Sequence, residues 1–250
     1  GLSRYLFNTA IDRGHIATGW AWDADFFDAD NDGDDDLYCV NGLNEYKIFQ
    51  ATMRKTLEDG TSRTWTYSVN EKEPNVLFLN EDGKLRNRSE GSGADLLVNS
   101  RAAAYLDADG DGDLDVVINN YQEQASFLEN RSDRRGNNWI RIELVGDPER
   151  GNNRDAVGAT IIATTPSGRT IWRAVQAGTG YLSDHPKVQH LGLGSEESVE
   201  LKVVWPNGET SEHRALEPNR LHVISQIEES PTRLAEPEGD DASATAVNGF

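Results

Sequence analysis

Apolar residues along this chain recur mostly at alternate positions in short runs, and clusters of turn-forming residues close the runs. Val199, Leu201, Val203 and Trp205 share one parity in "VELKVVW", the pattern of a strand with one buried face. "WIRIELVG" at 139–146 and "RLHVISQI" at 220–227 also read as strands. Three segments read as hairpins: "NVLFLNEDGKLRNRS" around a turn containing Gly83, "ATIIATTPSGRTIWRAV" around Pro166, Ser167 and Gly168, and "SVELKVVWPNGETSEHRAL" around Pro206, Asn207 and Gly208. One stretch departs from the pattern. In "NEYKIFQATMRKTLEDG", Tyr46, Phe49, Met53 and Leu57 fall at i, i+3, i+7 and i+11, and Gly60 sits where a C-cap would, so a helix is expected there. The following "TWTYSV" puts Trp65, Tyr67 and Val69 on one strand face.

The fold class is therefore all-β, in two parts. Residues 1–130 carry a repeat of apolar strand, aspartate loop and apolar strand: "GWAWDADFF" before and "LYCVNG" after the first loop, "AAAYL" before and "LDVVINN" after the second. Repetition of this kind points to a propeller or a solenoid. The loops start 79 residues apart, and residues 43–73 are an insertion that makes up the excess over one blade. The charged "RSDRRGNN" at 131–138 is a linker, 139–227 a small β-sandwich-like domain, and 228–250 an acidic tail too poor in large apolar residues to fold.

A formal charge of −19 and a pI near 4.6 exclude sequence-independent binding to nucleic acid and to anionic membranes. No apolar run reaches the roughly 20 residues of a membrane span. The single cysteine, Cys39, excludes an intrachain disulfide framework and reads as a buried strand thiol. The chain opens on Gly1, as a processed or cloned piece would, so the lack of a leader sequence carries no weight.

The charge concentrates in "DADNDGDDD" at 28–36, with six aspartates, and "DADGDGDLD" at 107–115, with five. Both follow D-x-D-x-D-G-x-x-D, which turns alternate carboxylates inward while glycine permits the bend. A hard ion such as Ca²⁺, taking about 6–8 oxygens, fits this donor set, so about two ions are expected. Asp28, Asp30, Asp32 and Asp36 would give side-chain oxygens and Asp34 its carbonyl, with Asp107, Asp109, Asp111, Asp113 and Asp115 matching them. Asp35 is left over and should point outward. An EF-hand is excluded because the twelfth residues are Cys39 and Ile118, where a bidentate Glu is required. Mg²⁺ is too strict in geometry, and zinc or copper would need His or Cys.

The two loops with their flanking strands resemble the FG-GAP or VCBS-type repeats of calcium-binding β-propellers. Residues 137–226 resemble the ASPIC and UnbV domain through "NNWIRIELVG", "NNRDAVGATI", "VQAGTGYLSDHPKVQHLGLG" and "VVWPNGET". Together they are similar to the C-terminal part of the cartilage acidic protein-like family. The resemblance implies a secreted or cell-surface protein, periplasmic in some settings, with a propeller of about seven blades followed by a small β domain. Two aspartate loops do not close such a ring, so the remaining blades lie N-terminal to Gly1 or on other chains.

The function expected is a calcium-stabilised extracellular interaction or adhesion module without catalysis, meeting an extracellular protein or a glycan. A polysaccharide-binding or polysaccharide-acting enzyme is the alternative, with Asp184 and His185 in "SDHPKVQH" as acid-base groups near His190. A third reading is one subunit of an assembly that completes the propeller, through homo- or hetero-oligomerisation. Trp20, Trp22, Trp65, Tyr67, Trp172 and Tyr181 are candidate sugar platforms, with Trp65 and Tyr67 foremost because they sit in the insertion. Arg154 and Asp155 read as an ion pair, and Asn87 and Asn130 head N-x-S sequons.

Overall fold

A computed structural model describes residues 18–42, 49–56, 60, 62–69, 73–132 and 136–227, with backbone alone for 49–56 and 62–69. The expected tail at 228–250 lies outside these residues, as do Tyr46, Leu57 and the side chains of Trp65 and Tyr67. The N-terminal half contains β1 (Ala21–Phe27), β2 (Asp36–Asn41), β3 (Phe49–Thr56), β4 (Ser62–Val69), β5 (Val76–Glu81), β6 (Lys84–Asn87), β7 (Ser100–Leu106), β8 (Asp115–Asn120) and β9 (Ser126–Leu128). The C-terminal half contains β10 (Asn138–Val145), β11 (Thr160–Thr164), β12 (Thr170–Ala174), β13 (Gln189–Gly194), β14 (Val199–Val204), β15 (Thr210–Leu216) and β16 (Leu221–Ser225). The fold is all-β, and its helical content among the described residues is confined to short 3-10 turns such as Pro148–Arg150.

The helix expected across 44–60 is not formed where it is described. Phe49–Thr56 is a strand, paired antiparallel with Ser62–Val69 from Phe49↔Val69 to Thr56↔Ser62. The spacing was ambiguous: Phe49 and Met53 are four residues apart, which places them on one face of a helix or of a strand. Thr52, Thr56, Thr64, Thr66 and the aromatic residues of the second strand favour the extended form.

Strands β1-β2-β5-β6 form a four-stranded antiparallel meander, and β7-β8-β9 a three-stranded one. The β5–β6 turn is Asp82-Gly83, with φ of 54° and 76°, the left-handed pair of a type I′ hairpin. Phe27, Tyr38 and Val40 of the first sheet pack with Ala103, Tyr105, Val116 and Ile118 of the second in one core. In the C-terminal half, sheets β13-β10-β16 and β12-β11-β14-β15 close on a second core. Ile140, Ile142 and Leu191 come from one sheet, and Ile161, Val199, Leu201 and Val203 from the other. Each such side chain contributes about 1.5–3 kcal/mol on burial. Both expected hairpins, at Gly168 and Gly208, close through backbone bonds from Gly168 N to Thr165 O and Gly208 N to Trp205 O.

The two cores do not merge, yet the halves dock closely. Residues flanking 133–135 bond to the aspartate loops: Ser132 Oγ donates to Asp113 Oδ2 at 3.0 Å and Asn137 Nδ2 to Asp30 O at 2.8 Å. Asp23 of β1 joins two sheets and a loop of the C-terminal half, accepting from Ala103 N of β7 at 3.0 Å and from Tyr181 N, in the loop between β12 and β13, at 3.1 Å.

Candidate metal centre

The two aspartate loops connect β1 to β2 and β7 to β8, each at the end of a meander's first hairpin. Their backbones repeat. The fourth residues, Asn31 and Gly110, and the sixth, Gly33 and Gly112, all have positive φ: 59°, 84°, 92° and 98°. Asn tolerates that conformation where most residues do not. The ninth carboxylates also repeat. Asp36 accepts from Ala29 N at 2.8 Å and from Asn80 N at 2.7 Å; Asp115 accepts from Ala108 N at 3.0 Å and Asn130 N at 2.8 Å. Each therefore ties its loop to the sheet's third strand or to the chain just beyond it.

The first loop gathers Asp28, Asp30 and Asp36, whose nearest ligand oxygens lie within 4.8 Å of one another, and all three side chains are buried. Asp28 is 2% exposed; its Oδ2 accepts from Gly33 N at 2.9 Å, while its Oδ1 is buried with no hydrogen-bond partner. Burial, with the charges of Asp32, Asp36 and Asp30 added, pushes the Asp28 carboxyl up to about 8. Burial likewise pushes Asp36 up to about 7 against its two amide donors. Carboxylates this desolvated and this crowded require a cation to stay ionised together. Asp32 turns back to accept from Asp34 N at 2.9 Å, and Asp34 is exposed.

The second loop gathers Asp107, Asp109 and Asp111 within the same distance, but Asp109 and Asp111 are exposed. Asp107 Oδ1 accepts from Gly110 N at 2.7 Å and its Oδ2 pairs with Arg141 Nη1 at 2.6 Å. A hydrogen bond with the Asp113 side chain pushes the Asp111 carboxyl up to about 7. Asp113 is buried and Asp115 is committed to its two amides.

The C-terminal half lies on both loops. On the second, the Trp139 ring fills the space a Cβ on Gly112 would need and Arg141 holds Asp107; on the first, Asn137 Nδ2 reaches Asp30 O, Gly194 N reaches Asn31 O at 2.8 Å, and Arg169 Nη1 reaches Asp32 O. Gly192 lies so near Asp28 Oδ2 that a Cβ there would overlap it, and would sit 2.6 Å from Asn31 Cα. His190 Nε2 meets Asn31 Oδ1 at 2.6 Å. Asp35, expected to point outward, instead holds Arg173 with two bonds, Nη2–Oδ1 at 2.6 Å and Nη1–Oδ2 at 3.3 Å. Asn31, Arg141, Arg169 and Arg173 escaped sequence reasoning. Only the φ-tolerant Asn at position four, mirrored by Gly110, was a usable signal.

The remaining candidates separate from one another. Asp184 is exposed and accepts from Thr179 N at 3.4 Å and Gly178 N at 3.1 Å, bonds that hold its carboxyl below the usual range. His185 turns away, with Nε2 3.4 Å from Asp25 Oδ2 and its ring edge-on to Tyr105. His190 belongs to the contact between the halves. Arg101 lies over the rings of Trp22 at 4.7 Å and Tyr121 at 5.1 Å, and Trp22 meets Tyr181 at 5.8 Å, giving a row of ring and guanidinium faces. Trp20 and Trp172 are exposed. Arg154 and Asp155 pair at 3.0 Å and Cys39 is a buried free thiol. The Asn130 amide donates to Ala29 O and Leu114 O, so that sequon's acceptor nitrogen is spent inside the fold.

Among known proteins, residues 149–231 match the family described as ASPIC and UnbV. The chain is 34% identical to cartilage acidic protein 1 of Xenopus tropicalis over 107 residues, 42% of this chain and 16% of that protein. It is 29% identical to cartilage acidic protein 1 of Homo sapiens over 138 residues, 54% of this chain and 19% of that protein. The match spans less than a fifth of the length of these relatives.

Proposed function

We propose that this chain is part of a calcium-stabilised extracellular interaction module that performs no catalysis. The observation that carries the calcium reading is Asp28: a fully buried carboxylate with one oxygen unpartnered, set beside Asp30 and Asp36. A hard dication there would neutralise the cluster and use the free oxygen. Asp28, Asp30, Asp32 and Asp36, with the Asp34 carbonyl, would hold one ion. Asp107, Asp109, Asp111, Asp113 and Asp115 would form the second site.

The two meanders are consistent with FG-GAP or VCBS-type blades of a propeller whose other blades lie elsewhere on the parent protein or on partner chains. Likeness to cartilage acidic protein 1 supports an extracellular setting, and no helix among the described residues is long and apolar enough to cross a membrane. The role of the ion is passive. It fixes a tight turn, and the turn fixes the surfaces on either side, including the Tyr121, Arg101, Trp22 and Tyr181 row, which suits contact with an extracellular protein or glycan.

Thermal unfolding with calcium and in excess chelator tests this. Calcium at about 100 times its dissociation constant contributes about 2.7 kcal/mol, which raises the midpoint by about 5–10 °C in a chain of this size. Extracellular sites of this type work at about 10⁻⁴ to 10⁻³ M. Coincident melting curves would overturn the calcium reading.

A further inference from the structure

We infer that Arg141 is the resident cation of the second aspartate loop, so that the two loops are unequal calcium sites, the one at 28–36 strong and the one at 107–115 weak. This rests on the calcium reading proposed above and refines it.

The loops share backbone shape, the ninth-position anchor and the hydrogen bond from the seventh amide to the fifth carboxylate, Asp34 N to Asp32 at 2.9 Å and Asp113 N to Asp111 at 3.2 Å. They differ at the first carboxylate. Asp28 keeps a buried oxygen without a partner. In Asp107 both oxygens are engaged, one by Gly110 N and the other by the Arg141 guanidinium at 2.6 Å. The Asp107 side chain is 0% exposed, so the pair is shielded from screening by solvent. Arg141 is held by its strand: β10 pairs with β13 through Arg141↔His190 and with β16 through Arg141↔Leu221. It cannot swing away without giving up the ion pair.

A dication entering the second loop therefore meets a fixed positive charge on the carboxylate it needs. Like charges sharing one ligand oppose each other strongly at such range. Two arginines lie over the first loop, and neither takes an oxygen of the gathered Asp28, Asp30 and Asp36: Arg173 goes to Asp35 and Arg169 to the main-chain carbonyl of Asp32. The same residue type thus blocks one loop and leaves the other open.

Calorimetric titration of the chelator-stripped chain with calcium chloride tests the assignment. Wild type should show two classes of site, separated by about tenfold or more. Arg141→Gln should tighten the weaker class by about tenfold, because the repelling charge is gone. Arg141→Lys, which keeps the charge, should leave it weak. Arg173→Gln, which loosens the contact between the halves without touching Asp107, should also leave it weak. Two equal sites in wild type would overturn the inference while sparing the calcium reading. So would an Arg141→Gln titration that matches wild type, or a tightening by Arg173→Gln as large as that by Arg141→Gln. Absence of any calcium heat in all four proteins would remove the calcium reading, and the inference with it.

Discussion

Asp35 and Arg173 meet across the two halves of the molecule, 138 residues apart in sequence, in a two-bonded carboxylate–guanidinium pair. Asp35 is the one aspartate of its loop that the repeat leaves spare, and this pair is what it does. Asp35→Asn should leave calcium affinity nearly unchanged while weakening the contact by about 1 kcal/mol, since the pair is partly exposed. A double-mutant cycle with Arg173→Gln, read by urea unfolding, checks it; additive losses would show that the pair contributes nothing.

Asp28→Asn should reverse its effect with calcium. In excess chelator the Asp28 carboxyl, pushed up to about 8, must take up a proton near pH 7 to stay buried, a cost that the neutral Asn side chain does not carry, so the variant should melt at or above wild type. With calcium present it loses a ligand and should melt below. Differential scanning calorimetry under the two conditions distinguishes this crossing from a simple loss of packing, which would lower both midpoints.

Gly192→Ala tests how closely the sandwich lies on the first loop. A methyl there overlaps Asp28 Oδ2 and approaches Asn31, so a cost of about 1–3 kcal/mol and weaker calcium binding are expected together. Gly83→Ala is the contrast. Nothing lies within 4 Å of its added Cβ, and its φ of 76° makes the cost purely conformational, about 1 kcal/mol with calcium binding intact.

His190 sets a pH dependence. Burial first, then the nearby charges of Arg173 and Arg141, hold its imidazole down to about 3. The unfolded chain takes up that proton near pH 6.5, whereas the folded chain refuses it until about pH 3. Stability is therefore complete above pH 6.5 and falls as pH drops below it, by up to about 1.4 kcal/mol per unit. Urea midpoints at pH 7 and 5, in saturating calcium, should differ more for wild type than for His190→Gln. Equal slopes would mean that His190 is protonated in the fold.

Much of this architecture is legible in the sequence. Alternation identified Val199, Leu201, Val203 and Trp205 as one buried face, and turn residues located the hairpins at Gly83, Gly168 and Gly208, because both signals are local. The helix expectation failed because Phe49 and Met53 fit either period. Within the loops, the spacing singled out five aspartates each, of which Asp28, Asp30 and Asp36 gather in the first and Asp107, Asp109 and Asp111 in the second, while Asp32 turns back to Asp34 N and Asp115 is taken by two amides. It could not reveal that Arg141 reaches Asp107 while Arg173 reaches Asp35, since an arginine's partner depends on how two independently folded sheets meet. Asp184, His185 and His190 show the converse: neighbours in sequence, each with separate partners.

The carbonyls of residues 30–32 acquire their donors late in synthesis. Asn137 follows Asp30 by 107 residues and Arg169 follows Asp32 by 137. At ribosomal rates the first loop stands uncovered for roughly 5–20 s before Asn137 is even added. Until those residues follow, the C-terminal half supplies nothing that covers the first loop, so under the calcium reading proposed above an ion would meet the loop open at this stage and partly roofed afterwards.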